Sequence, residues 1–152
     1  MRASTAVLGP LISRFGKAVV AMPGGCNIGA RKIDMHILGL EALGVEFKVE
    51  HGNIHASAPH GITGETVSLA FASVGATENL MMASVFAKGV TVIDNAAREP
   101  EIVDLATMLN KMGANIQGAG SPVIEIHGVT ELHPVEHEVV GDRIEAGTFL
   151  AI

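Results

Sequence analysis

The chain alternates between two hydrophobic rhythms. "RASTAVLGPLISRFG" (2–16) places apolar residues along one helical face and closes on glycine. "FGKAVVAMPGG" (15–25) then runs from a glycine through a short β-branched stretch into a loop. "IDMHILGLEALGVEF" (33–47) returns to helical spacing. "VEFKVEHGNIHASA" sets two β-rich runs around a Gly-containing turn, which predicts a hairpin. The same succession then repeats. "GATENLMMASVFAKG" (75–89) reads as a helix, "KGVTVIDNAA" (88–97) as a strand and loop, "IVDLATMLNKMGANI" (102–116) as a helix and "ANIQGAGSPVIEIHG" as a hairpin. In the aligned helices Leu40 falls on Leu109 and Gly44 on Gly113.

The predicted unit is therefore helix, strand, loop, helix, hairpin, with a period of about seventy residues. That is an α/β (α+β) supersecondary unit rather than a short solenoid repeat. We expect two units, 1–74 and 75–140, with "GDRIEAGTFLAI" (141–152) opening a further one. The last helical pattern stops on Leu150, Ala151 and Ile152, so its apolar side has no partner. The expectation is a partial domain of a longer protein, truncated at both ends, with self-association through the cut helices.

Composition narrows the class. Of 152 residues, 48% are hydrophobic and 17% charged, which argues against disorder. No apolar run is long enough to span a bilayer, and the first residues lack the basic region, apolar stretch and cleavage site expected of a signal peptide. A single cysteine forms no internal disulfide, so a cytoplasmic location is expected. The net charge is −6, without the basic surplus of a nucleic-acid binder. Neither nucleic acid nor membrane is an expected partner. An anionic ligand would have to be met by arginines gathered locally.

That single cysteine is Cys26, in "AMPGGCNIGAR" (21–31). Gly24, Gly25 and Gly29 leave it uncovered by neighbouring side chains, and their amides suit an anion. Arg31 and Lys32 nearby favour thiolate. A thiol so placed serves as nucleophile or general acid, or sits inert in a turn; spacing alone leaves both open. Arg31 also offers a fork for phosphate or carboxylate at a helix start. Asp34 reads as a helix cap and His36 as a half-buried histidine. In "FASVGATENLMM" (71–82), Ser73 or Thr77 reads as an N-cap, while Ser73 and Gly75 suit a ligand cradle. "NAAREPEIVDLA" (95–106) is mainly structural, with Pro100 in a first helical turn and Arg98 as the exception. His133 and His137 are four residues apart, but Pro134 between them disfavours one shared helical face, so no metal site is expected. The seven methionines read as core filler.

Taken in order, "PGGCNIGARKIDMHI", "ASVGATEN", "IDNAAREPEIVDLA" and "DRIEAGTF" resemble the UDP-N-acetylglucosamine 1-carboxyvinyltransferase family over essentially the whole chain. The cysteine loop separates this family from the enolpyruvylshikimate phosphate synthases, which share its architecture. The resemblance implies an inside-out α/β barrel. It implies transfer of the enolpyruvyl group of phosphoenolpyruvate to the 3-hydroxyl of UDP-N-acetylglucosamine, releasing phosphate, for peptidoglycan synthesis. No cofactor and no metal are implied.

Carried over by position, Cys26 matches the mobile-loop cysteine, a proton donor and adduct site and the target of fosfomycin. Arg2 matches a substrate-pocket arginine and Arg31 one that meets phosphate. Arg31, Lys32, Ile33, Asp34 and Met35 match one nucleotide-sugar segment, and Phe71, Ala72, Ser73 and Val74 a second. Lys32 stands where the family usually has proline, and Gly141 where proline often precedes "DRIE". The family's early Lys-Asn pair and its proposed base aspartate fall outside these residues. The chain alone is therefore expected to be inactive. A non-catalytic UDP-sugar-binding module and a redox-sensing domain of the same fold are the alternatives.

Overall fold

The computed structural model describes residues 5–23 and 33–151. The elements run α1 (Leu8–Phe15), β1 (Lys17–Ala21), α2 (Asp34–Ala42), β2 (Glu46–Glu50), β3 (Asn53–Ser57) and β4 (Thr66–Ser68). They continue with α3 (Val74–Ser84), β5 (Val90–Asp94), α4 (Pro100–Lys111), β6 (Asn115–Gln117), β7 (Val123–His127) and α5 (Arg143–Leu150).

The strands form two open sheets, ordered β1-β3-β2 and β4-β5-β7-β6. In each, the second strand of a hairpin lies between its partner and the strand that precedes the intervening helix, all antiparallel. The second sheet adds β4, parallel to β5, with Val67 opposite Ile93. The periodicity does not predict β4, because three residues carry too little alternation to register. What the described residues establish is a mixed α/β architecture.

Each sheet buries one face. In the first, Ala18, Val20, Ile54 and Ala56 point inward while Lys17 and Lys48 stay exposed. In the second, Ile93, Ile116, Ile124 and Ile126 are buried while Asp94 and Gln117 are exposed. α1, α2, α3 and α4 pack against the sheets. α3 is central, touching α1, α2, α4, β5 and β7. Leu80, Met81 and Ala83 on it are fully enclosed, and so are the polar Thr77, Asn79 and Ser84.

Three helix ends follow the glycine signal. Gly16, Gly44 and Gly113 all take positive φ just past α1, α2 and α4. The fourth differs: α3 stops at Ser84 rather than running to Gly89. The backbone there is used otherwise. Lys88 N–H donates to the Ile62 carbonyl and Gly64 N–H to the Lys88 carbonyl, so strand-like pairing replaces the last helical turn. Met81 is core filler as expected, but Met22, which follows a strand, is 40% exposed.

From Gly128 to Gly141 the chain has no regular structure. It is fastened to α4 by His137 Nε2 and Asp104 Oδ1, 2.9 Å apart. Arg143 then donates two hydrogen bonds to the Glu101 carboxylate, at 3.1 and 2.9 Å. α5 itself has no buried residue.

Candidate functional site

Cys26, Arg2, Arg31 and Lys32 lie outside the described residues. The remaining candidates occupy the starts of two adjacent helices. Ile33 holds the N-cap position of α2 and makes no side-chain capping bond. Asp34 is therefore not the cap. It is the first helical residue, an exposed acid beside the positive end of the helix dipole. Ile33 and Met35 pack half-buried against the core.

Phe71 and Ala72 are exposed ahead of α3, with Phe71 at 62%. Ser73 is the N-cap, and its Oγ accepts from Ala76 N–H at 3.4 Å. Val74 is the first helical residue, packed at the core edge. The second capping candidate, Thr77, has a different task. It is fully buried, and its Oγ1 accepts from Ala97 N–H at 3.0 Å.

The two segments meet at His36 and Gly75. A Cβ placed on Gly75 would lie 3.3 Å from His36 Cε1, so the first turns of α2 and α3 are in contact. Any side chain at position 75 would require the His36 ring to give way slightly. The starts of α2 and α3 thus lie side by side, and helix starts are suited to anionic groups. Burial holds the His36 imidazole below its ordinary pKa and favours the neutral ring.

Asn79 is fully buried on α3. Its side chain accepts from Gly9 N–H at 2.6 Å, donates to the Thr5 carbonyl at 2.9 Å and meets His36 Nδ1 at 3.0 Å. The only signal for it is a polar residue inside the apolar run of "ATENLMMAS". Beside it, Glu78 is half-buried, and desolvation followed by the charge of Glu101 raises its pKa. Glu101 is held low mainly by its hydrogen bond from Arg143.

The 95–99 connection is held by hydrogen bonds to its surroundings. Asn95 sits at φ 57° and donates from Nδ2 to the Leu69 carbonyl at 2.9 Å. Ala96 N–H reaches the Pro122 carbonyl at 2.8 Å. Pro100 opens α4, while Arg98 is exposed. His137 turns to Asp104, and His133 lies beside Gly113, so the two histidines do not form a pair. Among the described residues no helix is long and apolar enough to cross a membrane.

The sequence profile of the family described as EPSP synthase (3-phosphoshikimate 1-carboxyvinyltransferase) matches residues 1–152. The chain belongs to this family. Among its curated relatives is UDP-N-acetylglucosamine 1-carboxyvinyltransferase 1 of Staphylococcus aureus strain N315, 58% identical over 150 residues. The protein of the same name from Caldanaerobacter subterraneus is 59% identical over 150 residues. UDP-N-acetylglucosamine 1-carboxyvinyltransferase of Ruegeria pomeroyi is 58% identical over 150 residues. Each alignment takes in 99% of this chain and 36% of the relative, so the chain spans about a third of their length.

Solved structures agree on the fold. The enolpyruvyl transferase NikO of Streptomyces tendae superposes with a TM-score of 0.81 at 24% identity, over 99% of this chain and 36% of that one. An EPSP synthase of Acinetobacter baumannii gives 0.72 at 20% identity, over 97% and 34%.

Proposed function

We propose that this chain is part of an enolpyruvyl transferase acting on UDP-N-acetylglucosamine and phosphoenolpyruvate. The 3-hydroxyl of the sugar gives up its proton to a base as its oxygen bonds to C2 of phosphoenolpyruvate, and the methylene takes up a proton to become a methyl group, the one that loses a proton in the next step. Loss of a proton and of phosphate then restores the double bond. In this reading Cys26 supplies the proton to the methylene, as a thiol of near-neutral pKa can. Arg2 and Arg31 hold carboxylate and phosphate charge, and Lys32 adds to it. Ile33, Asp34 and Met35 take the nucleotide-sugar together with Phe71, Ala72, Ser73 and Val74.

The observation that carries the reading is the contact between the starts of α2 and α3. It sets Ile33–Met35 and Phe71–Val74, residues distant in sequence, on adjoining helix ends. The similarity to relatives of that name supports the choice of acceptor. The wider reading has the two units 1–74 and 75–140, with 141–152 opening a third, as part of an inside-out barrel. It places the whole protein in the cytoplasm, in peptidoglycan synthesis, and makes it a fosfomycin target. Because the chain spans about a third of its relatives, it is expected to be silent by itself.

The test is phosphate release by the protein that carries this segment, supplied with both substrates. Release that requires UDP-N-acetylglucosamine, and falls at least ~100-fold in Cys26→Ala, is the expected result. Full activity in Cys26→Ala removes the thiol from the mechanism. No release by the wild type overturns the reading.

A further inference from the structure

We propose that Asn79 is a positioning residue of the UDP-sugar site, its single buried amide holding the starts of α2 and α3 and the lead into α1 in register. The inference rests on the functional reading above.

The geometry is over-determined. Gly9 N–H can only donate, so the side-chain oxygen of Asn79 must face it. The Thr5 carbonyl can only accept, so the NH₂ group must face Thr5. The second hydrogen of that NH₂ points at His36 Nδ1. The amide therefore cannot be turned over without opposing oxygen to oxygen at Thr5.

Two consequences follow. First, three segments far apart in sequence are fixed by one fully buried side chain. His36 directly follows Ile33–Met35, and Asn79 lies on α3 just past Phe71–Val74. Any shift of the amide moves one proposed contact segment against the other. Secondly, His36 Nδ1 must accept, so the ring proton sits on Nε2. Among the described residues Asn79 is the only hydrogen-bond partner of that ring.

The packing is built around this amide. A Cβ on Gly9 would collide with both the backbone carbonyl and the side-chain oxygen of Asn79. α1 can approach α3 closely enough for the hydrogen bond only because position 9 is glycine. Such rigid support is what a binding site needs when its contacts come from separate elements.

The test uses the protein that carries this segment, with Asn79→Ala and Asn79→Asp. The readouts are the KM for UDP-N-acetylglucosamine, kcat, circular dichroism and the nitrogen-15 signals of the His36 ring. In the wild type we expect a single Nε2–H tautomer. Asn79→Ala should stay folded, mix the two tautomers and raise the KM roughly ten-fold, with kcat changed much less. Asn79→Asp keeps the acceptor for Gly9 but presents oxygen to His36. It should turn the ring to Nδ1–H and raise the KM likewise.

A folded Asn79→Ala variant with unchanged KM overturns the inference alone. A wild-type ring that carries its proton on Nδ1 does the same. If neither variant folds, the amide holds the core rather than the site, and the inference falls. A wild type that neither binds nor converts UDP-N-acetylglucosamine overturns the functional reading, and the inference with it.

Discussion

Residues 95–99 join β5 to α4, and residues 22–33 join β1 to α2, at corresponding places in the two halves of the chain. The connection at 95–99 is held by backbone and side-chain hydrogen bonds. Ala96 N–H goes to Pro122, Ala97 N–H to Thr77, and Asn95 ties the turn to Leu69. Pro100 opens α4 in place of a donor. The first connection is composed differently, with Gly24, Gly25, Cys26 and Gly29 followed by Arg31 and Lys32. The helix after it starts without a side-chain cap. Ala96, Ala97 and Arg98 N–H are taken by neighbouring groups, which hold the 95–99 connection in place. One topological position thus carries a brace in one half and, on the functional reading, the chemistry in the other.

This contrast breaks most sharply on a crossed pair of substitutions. Cys26→Ala should remove turnover while leaving the thermal midpoint of the protein unchanged. Thr77→Val should do the reverse. It strands the buried Ala97 N–H, costs about 1–3 kcal/mol, and leaves the KM for UDP-N-acetylglucosamine where it was. A Thr77→Val variant of undiminished stability would mean that 95–99 is not braced through α3.

Asn95→Ala is a milder probe of the same brace. It deletes the bond to Leu69 and leaves alanine at φ 57°, so chemical denaturation should show a loss of about 1–2 kcal/mol. Asn95→Gly should recover the backbone part of that loss. Equal losses in the two variants would remove the left-handed backbone from the account.

The smallest effect concerns Glu78, the residue after Thr77 on α3. Its pKa is raised in the folded protein, chiefly by desolvation, so the folded state holds that proton more tightly than the unfolded chain. Stability from this group is greatest below the ordinary carboxylate range and declines as pH rises through the raised folded value. Glu78→Gln should therefore melt higher than wild type at neutral pH, with the gap closing on acidification. A gap that widened in acid would reverse the sign of the burial effect.

The legible parts of the fold were those whose signals are local. The order of helices and hairpins followed from periodicity, and Gly16, Gly44 and Gly113 marked helix ends. The Ser73 cap was readable because its bond spans three residues. Asp34 misled because an acid at a helix start suits both the cap and the first turn. β4 was invisible because its pairing with β5 is set by residues outside its own three. The link from His36 to Asn79 spans 43 residues, and no local pattern encodes such a contact.

The amino-acid order alone determined which stretches coil, which extend and where the chain reverses, because those preferences act over a few residues. It also carried the family signature, since those motifs are contiguous. Tertiary structure alone decided that α3 is the interior helix. Its buried positions include Thr77, Asn79 and Ser84 on an element with no single apolar face. Two of these interior polar residues take partners from distant segments, Thr77 from Ala97 and Asn79 from Gly9, Thr5 and His36, while Ser84 Oγ has none among the described residues.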